Sequence, residues 1–92
     1  MKIKASDLKA TRFKPEDYQW AKLEDGSIEP LYYQDGKGGL DLYEARNFYY
    51  NQFEDEGEVG WFLDHDVWFG NGVAYCHSKI VEFATTKEEL EK

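Results

Sequence analysis

Apolar and polar residues alternate over residues 62–81, on both sides of the dipeptide Asn71-Gly72. Asn-Gly is the preferred pair for a two-residue type I′ turn, because both turn positions need positive φ. With these two residues as the loop, the sequence predicts a β-hairpin in which Gly70 pairs with Val73. One face of this hairpin is mostly apolar and consists of Leu63, His65, Val67, Phe69, Ala74, Cys76, Ser78 and Ile80.

The polar face of this hairpin pairs Asp64 with Lys79, Asp66 with His77 and Trp68 with Tyr75. A slip of one residue would mix the two faces, so burial favours the proposed register. His65 is the polar exception on the apolar face, opposite Ser78. We expect a structural histidine, bonded to Ser78 or to a backbone carbonyl, rather than a catalytic group.

A helical pattern spans roughly Leu42 to Glu54. Asp41 is suited to the N-cap position, and Glu44 three residues later completes a capping box. Gly57 follows the end of the pattern, where a left-handed residue commonly stops a helix. One helical face would hold Leu42, Ala45, Tyr49 and Phe53, with Phe48 at its margin, and the opposite face Tyr43, Asn47, Tyr50 and Glu54.

A second hairpin is predicted from Tyr18 to Tyr33, with Asp25-Gly26 at its turn and Lys22 facing Glu29. Pro30 would confine its strand to an edge of the sheet. A helix beginning at Pro15 is the alternative for the first half of this segment, since Pro-Glu-Asp is a favourable helix start.

These elements predict one domain over residues 1–92, of the α+β class. A small antiparallel β-sheet, a meander of hairpins, would pack against one main α-helix. Residues 1–14 would form a basic N-terminal arm, and residues 85–92 a short C-terminal helical turn or tail. Aromatic residues make up 17% of the chain, which lets so short a sequence bury enough apolar surface to fold.

Charge is distributed unevenly along the chain. The net charge is −8, of which residues 1–46 contribute −1 and residues 47–92 contribute −7. No Lys or Arg lies between Asn47 and Ser78, whereas the first 14 residues contain five basic residues and one acidic residue. An acidic surface repels nucleic-acid phosphates and anionic membranes and attracts basic proteins.

Catalytic and metal-binding chemistry find little support. Asp64, Asp66 and His77 on one side and His65 and Cys76 on the other are metal-ligand types, but the pleat of a hairpin separates the two groups. No nucleophile and base come together, so we expect neither an enzyme, nor a metal site, nor a cofactor. The single cysteine, with no membrane span and no secretory signal, suggests a cytoplasmic protein.

The acidic and aromatic residues after position 46 are therefore the candidate binding surface. It comprises Glu54, Asp55, Glu56, Glu58, Asp64, Asp66, Tyr43, Tyr50, Trp68 and Tyr75. Exposed rings and carboxylates suit a partner rich in Arg and Lys. In size and composition the chain resembles, as a broad class only, the small acidic inhibitors and DNA mimics of phages and mobile elements.

The function expected from the sequence is a small acidic inhibitor that docks on a basic, nucleic-acid-binding protein and blocks it. Direct binding to nucleic acid or to a membrane is not expected. An aromatic-lined module for a sugar or another small ligand, using Trp61 among its rings, is one alternative. A structural or assembly subunit is another.

Overall fold

The computed structural model describes residues 1–33, 45–70 and 72–91, with the backbone alone at positions 56, 66–69, 74 and 75. Within these ranges the chain forms six β-strands: β1 (Lys2–Lys4), β2 (Trp20–Leu23), β3 (Ile28–Pro30), β4 (Phe48–Asn51), β5 (Gly60–Phe69) and β6 (Gly72–Ala84). Short 3₁₀ helices connect or follow them at Ala5–Asp7, Ala10–Arg12, Pro15–Asp17, Glu54–Glu56 and Glu88–Leu90.

The long strand β6 organises the sheet. The strands follow the antiparallel order β3-β2-β6-β5-β4, and β1 adds to β6 outside this path. The first part of β6 pairs with β5, while Ala84 at its end has both Lys2 of β1 and Trp20 of β2 as partners. Lys22 pairs with Glu82 but Leu23 with Ile80, so Val81 forms a β-bulge in β6.

The two ends of the strand path meet at Asn47. An antiparallel bridge links Tyr33, beyond β3, with Ala45, before β4. The Asn47 side chain donates a hydrogen bond to the Pro30 carbonyl oxygen and accepts one from the Tyr32 amide, both at 2.9 Å. The sheet is thereby closed into a small barrel, because the described segments next to β3 and β4 are joined to each other.

The interior of this barrel is aromatic. The ring of Phe13 lies 5.1–6.5 Å from five other ring centroids, which belong to Tyr18, Tyr33, Phe48, Trp61 and Phe83. The N-terminal segment supplies three buried residues, Ala5, Leu8 and Phe13, to this core. Residues 1–14 are thus an integral part of the fold, with Lys4, Lys9, Arg12 and Lys14 at their exposed positions.

The predicted main α-helix over Leu42–Glu54, and with it the α+β class, is wrong. Residues 42–44 lie outside the described part, but Phe48–Asn51 form strand β4. No helix in the described ranges exceeds a single 3₁₀ turn, and the protein there is mostly antiparallel β-sheet. Tertiary pairing overrides the capping pattern, because consecutive aromatic residues also suit a strand with one buried and one half-exposed side.

The hairpin of β5 and β6 is confirmed, but its predicted register is wrong by two residues. Phe69 pairs with Gly72, so Gly72 belongs to β6 and not to the loop; Asn71 lies outside the described residues. Asp64 is opposite His77 instead of Lys79. A shift of two keeps each side chain on its predicted face, so the hydrophobic pattern could not distinguish the two registers.

The hairpin of β2 and β3 is also confirmed, with a register one residue from the prediction. Lys22 is opposite Ile28, not Glu29, because the connection has three residues and not two. The Leu23 amide donates to the Ser27 carbonyl oxygen at 2.9 Å, and Gly26 has a φ of 90°. This is the three-residue loop that needs a left-handed residue at its third position.

The predictions for Pro15, for Pro30 and for the C-terminal residues also have counterparts in the structure. The helix start at Pro15 is one 3₁₀ turn that ends at Asp17, and Pro30 ends the outermost strand of the path. The C-terminal turn is present at Glu88–Leu90, where Leu90 is buried. No helix of the described residues is long and apolar enough to cross a membrane.

Candidate functional site

The acidic loop, residues 52–59, connects β4 to β5. Asn51 fixes both of its ends: its side-chain nitrogen donates to the Glu58 carbonyl oxygen at 2.9 Å, and its side-chain oxygen accepts from the Phe53 amide at 3.2 Å. Between these points lies the 3₁₀ turn Glu54–Glu56, followed by Gly57 at a φ of 133°. Four carboxylates of the candidate surface are therefore held on one short, clasped loop.

The carboxylates of the acidic loop differ in their partners. Glu54 and Asp55 are exposed, and neither forms an ion pair with a described Lys, Arg or His residue. Glu58 forms an ion pair with Lys79 on β6, and this hydrogen bond raises the pKa of the Lys79 ammonium. Glu54 and Asp55 thus present their charge outward, whereas the charge of Glu58 is compensated within the protein.

Two large apolar side chains accompany these carboxylates. Phe53 at the start of the acidic loop is 52% exposed, and Val59 at its end is 38% exposed. Phe53 directly precedes the turn Glu54–Glu56, and Val59 follows it three residues later. The loop therefore combines apolar contact area with negative charge, and these are the two components that a docking surface for a basic protein requires.

Asp64 takes part in a separate cluster on the outer face of β4, β5 and β6. Its Oδ1 lies 2.5 Å from Nδ1 of His77, and the His77 ring meets Tyr49 edge-on at 5.9 Å. Tyr49 in turn stacks on Phe62 at 5.8 Å. Burial, and to a smaller degree the Asp64 charge, raises the pKa of Tyr49. Asp64 is therefore half-buried and bound to its own neighbours.

The remaining candidate residues fall into three groups. Tyr50 is half-buried and meets Trp61 edge-on at 5.2 Å, so it faces the interior side of β4. Backbone pairing puts Asp66 opposite Tyr75 and, two residues further along β5, Trp68 opposite Val73. Tyr43 lies outside the described residues. The acidic residues of the acidic loop thus lie close together in the chain, whereas Tyr50 packs against Trp61 and is not on the exposed side of that loop.

A groove that the sequence did not predict lies beside the acidic loop. Its volume is about 570 Å³, and it is lined by Ala5, Ser6, Leu8, Lys9, Ala10, Thr11, Tyr50, Gln52, Val59 and Gly60. One wall is the N-terminal segment and the other is formed by both ends of the acidic loop. The apolar residues Ala5, Leu8 and Phe13 within the basic segment were the signal that this segment packs against the domain.

His65 and Trp61 of β5 both have hydrogen-bonding partners within the protein. Nε2 of His65 lies 2.7 Å from the hydroxyl oxygen of Ser78, which confirms the expected hydrogen bond between them, although Cys76 is the residue paired with His65. Trp61 is 1% exposed, with its Nε1 bonded to the Leu8 carbonyl oxygen. Among the described residues, no three His, Cys, Asp or Glu side chains are grouped to hold a metal ion.

Comparison of the chain with protein-family models, with curated proteins and with solved structures found no match. The site's own geometry therefore carries the functional argument.

Proposed function

We propose that this chain is a protein-binding module that docks its acidic loop on a basic surface of another protein. The observation that carries this proposal is the outward presentation of Glu54 and Asp55 beside the exposed ring of Phe53. An Arg side chain can stack on the face of an aromatic ring and at the same time pair with a neighbouring carboxylate. The net charge of −8 adds long-range attraction to such a partner.

The clasped geometry of the loop favours binding further. Because Asn51 bonds to both ends of the loop, less conformational freedom is lost when a partner immobilises it. A partner surface rich in Arg and Lys, such as one that binds nucleic acid, has the matching chemistry. The single cysteine suits a reducing compartment such as the cytosol, which we propose as the location.

A DNA mimic would use the acidic residues of the candidate surface in place of phosphates, and these are Glu54, Asp55, Glu56, Glu58, Asp64 and Asp66. We do not propose that all six act in this way. Glu58 forms an ion pair with Lys79, and Asp64 lies within hydrogen-bond distance of His77, so two of the six carboxylates have partners within the protein. The comparisons likewise give no support to an inhibitor, a DNA mimic or a phage protein. We also leave aside a sugar-stacking module that uses Trp61, because that ring is buried in the core.

Affinity capture with two charge-matched variants tests this function. The loop variant Glu54→Gln/Asp55→Asn/Glu56→Gln removes three negative charges from the acidic loop. The control Glu16→Gln/Glu24→Gln/Glu91→Gln removes three from exposed positions elsewhere. We expect the natural protein and the control to retain the same basic protein from a lysate of the source cells, and the loop variant to lose it.

The captured interaction should also weaken steeply as salt is raised, because exposed charges are screened. Retention of the same partner by the loop variant, or capture that is insensitive to salt, would overturn the proposed function.

A further inference from the structure

The groove beside the acidic loop has the size and the composition of a ligand site. Its volume of about 570 Å³ lies within the range of roughly 300–1,000 Å³ that is common for binding pockets. Leu8 and Ala5 are buried on one side, and Tyr50 and Val59 supply apolar surface on the other. An apolar group that enters this groove would lose contact with water on several of its sides.

The rim of the groove offers hydrogen-bonding groups. Ser6 and Thr11, which carry hydroxyl groups, and Gln52, which carries an amide, belong to its lining and are exposed. Hydroxyl and amide groups both donate and accept hydrogen bonds, so they can serve the backbone of a peptide. This combination of an apolar floor and a polar rim suits a side chain that enters from an extended segment.

The groove has a basic residue in one wall, and the loop that contributes to the other wall carries acidic residues. The acidic loop contributes Gln52 and Val59 to one wall, and its exposed carboxylates Glu54 and Asp55 lie between these two positions in the sequence. The opposite wall includes the exposed residue Lys9. A basic group next to an occupant of the groove would thus be attracted to the loop side and repelled from the Lys9 side.

We infer that the groove holds an apolar side chain from a partner segment in which that residue is next to Arg or Lys. This inference rests on the proposed function and specifies its partner: a basic peptide segment with one aliphatic or aromatic anchor. The anchor fills the groove over Leu8 and Val59, and the neighbouring basic side chains reach Glu54 and Asp55. The opposite charges attract the segment, and the anchor determines where on the surface it binds.

Two synthetic peptides separate the contributions of the groove and of the loop. The first is acetyl-Arg-Arg-Leu-Arg-Arg-amide, and the second has Gly in place of Leu. Fluorescence anisotropy of labelled peptides at low salt measures both affinities. The natural protein should bind the Leu peptide at least about fivefold more tightly, since burial of a Leu side chain contributes more than 1 kcal/mol.

A groove-filling variant localises this preference. Thr11→Trp introduces a large ring at an exposed position of the groove lining, and Val73→Trp introduces the same ring at an exposed position on β6 outside it. We expect Thr11→Trp to bind both peptides with the affinity that the natural protein has for the Gly peptide. Val73→Trp should retain the preference for Leu.

Removal of the positive charge at the opposite wall should increase the affinity for the peptides. Lys9→Gln should tighten the binding of both peptides, and Lys14→Gln, an equal charge change at an exposed position outside the groove lining, should do so to a smaller extent. As a measurement that needs no variant, the amide resonances of Leu8 and Val59 should shift with the Leu peptide and much less with the Gly peptide.

The outcomes distinguish the two proposals. Equal affinity for both peptides, or a full Leu preference in Thr11→Trp, overturns the groove as the anchor site and leaves the acidic loop as a docking surface. Failure of both peptides to bind at low salt counts against the loop itself, and therefore against the proposed function as well.

Discussion

The indole Nε1 of Trp61 donates a hydrogen bond of 3.0 Å to the carbonyl oxygen of Leu8, 53 residues earlier in the chain. Both residues are buried, at 1% and 6% exposure. The bond joins the N-terminal segment to β5 at the groove's base, since Leu8 also lines the groove. Stability of the core and shape of the groove thus depend on the same contact.

Substitution of Trp61→Phe should therefore destabilise the protein. It removes the donor and part of the ring, and it leaves the Leu8 carbonyl oxygen buried without its partner. We expect a loss of about 2–4 kcal/mol in the free energy of unfolding, measured by urea denaturation. Trp20→Phe at a half-buried position is the control and should cost less. Equal losses at the two positions would contradict the role assigned to this bond.

The closure of the barrel by Asn47 gives a second prediction. Asn47→Ala removes the donor to Pro30 and the acceptor for Tyr32, and should cost about 1–3 kcal/mol. The Tyr32 amide should exchange with solvent faster. Asn47→Asp keeps an acceptor but loses the donor, so it should protect the Tyr32 amide and still destabilise. Unchanged exchange at Tyr32 in Asn47→Ala would exclude the closure.

The loop between β2 and β3 predicts different costs for two glycine substitutions. Gly26 has a φ of 90°, and a Cβ built there meets no atom within 4 Å, so only backbone strain opposes a side chain. Gly26→Ala should cost about 1–2 kcal/mol. Gly70 has equally open space without a left-handed φ, and Gly70→Ala should be close to neutral. Thermal unfolding of the two variants measures the difference.

Asp25 gives a prediction about pH. The side-chain hydrogen bond from the Ser27 hydroxyl, followed by that from the Ser27 amide, lowers the pKa of the Asp25 carboxyl. A lowered folded-state pKa stabilises the protein above the ordinary aspartate value of about 3.9, and this contribution is lost as pH falls through the folded-state pKa. The stability advantage over Asp25→Asn should therefore shrink in that acidic range.

Ser27→Ala removes the largest cause of this shift and should raise the pKa of Asp25 towards its ordinary value, as measured by NMR titration of the carboxyl group. Thr86→Ala, which removes a hydroxyl donor to Glu89, serves as the control and should leave Asp25 unaffected. An Asp25 titration that is the same in Ser27→Ala and in the natural protein would contradict the assignment.

The sequence predicted the hairpins of the fold because local patterns determine them. Alternation over residues 62–81 assigned each side chain to a face, and Asp25-Gly26 located the first turn. The register of the β2–β3 hairpin depended on the length of its loop and that of the β5–β6 hairpin on the position of its loop, and the pattern of alternation specifies neither. The helix prediction failed at Phe48–Asn51, where spacing of three and four residues coincides with a strand that buries Phe48 and exposes Tyr49 in part.

The candidate site was predictable to a similar degree. Charge counting located the carboxylates of the acidic loop, because their positions are local in sequence. It could not show that Glu58 and Asp64 have side-chain partners within the protein, since Lys79 and His77 are brought to them by the pairing of distant strands. The groove escaped prediction for the same reason: its two walls are about 40 residues apart in the chain.

The position of β6 after the strands with which it pairs has a consequence for synthesis of the protein on the ribosome. Residues 72–84 are the partner of β1, β2 and β5, so these earlier strands leave the exit tunnel before the strand that pairs with them. Long-range pairing of this kind slows folding. Until β6 emerges, the aromatic residues of the core remain exposed on the nascent chain, where chaperones that recognise apolar segments can bind them.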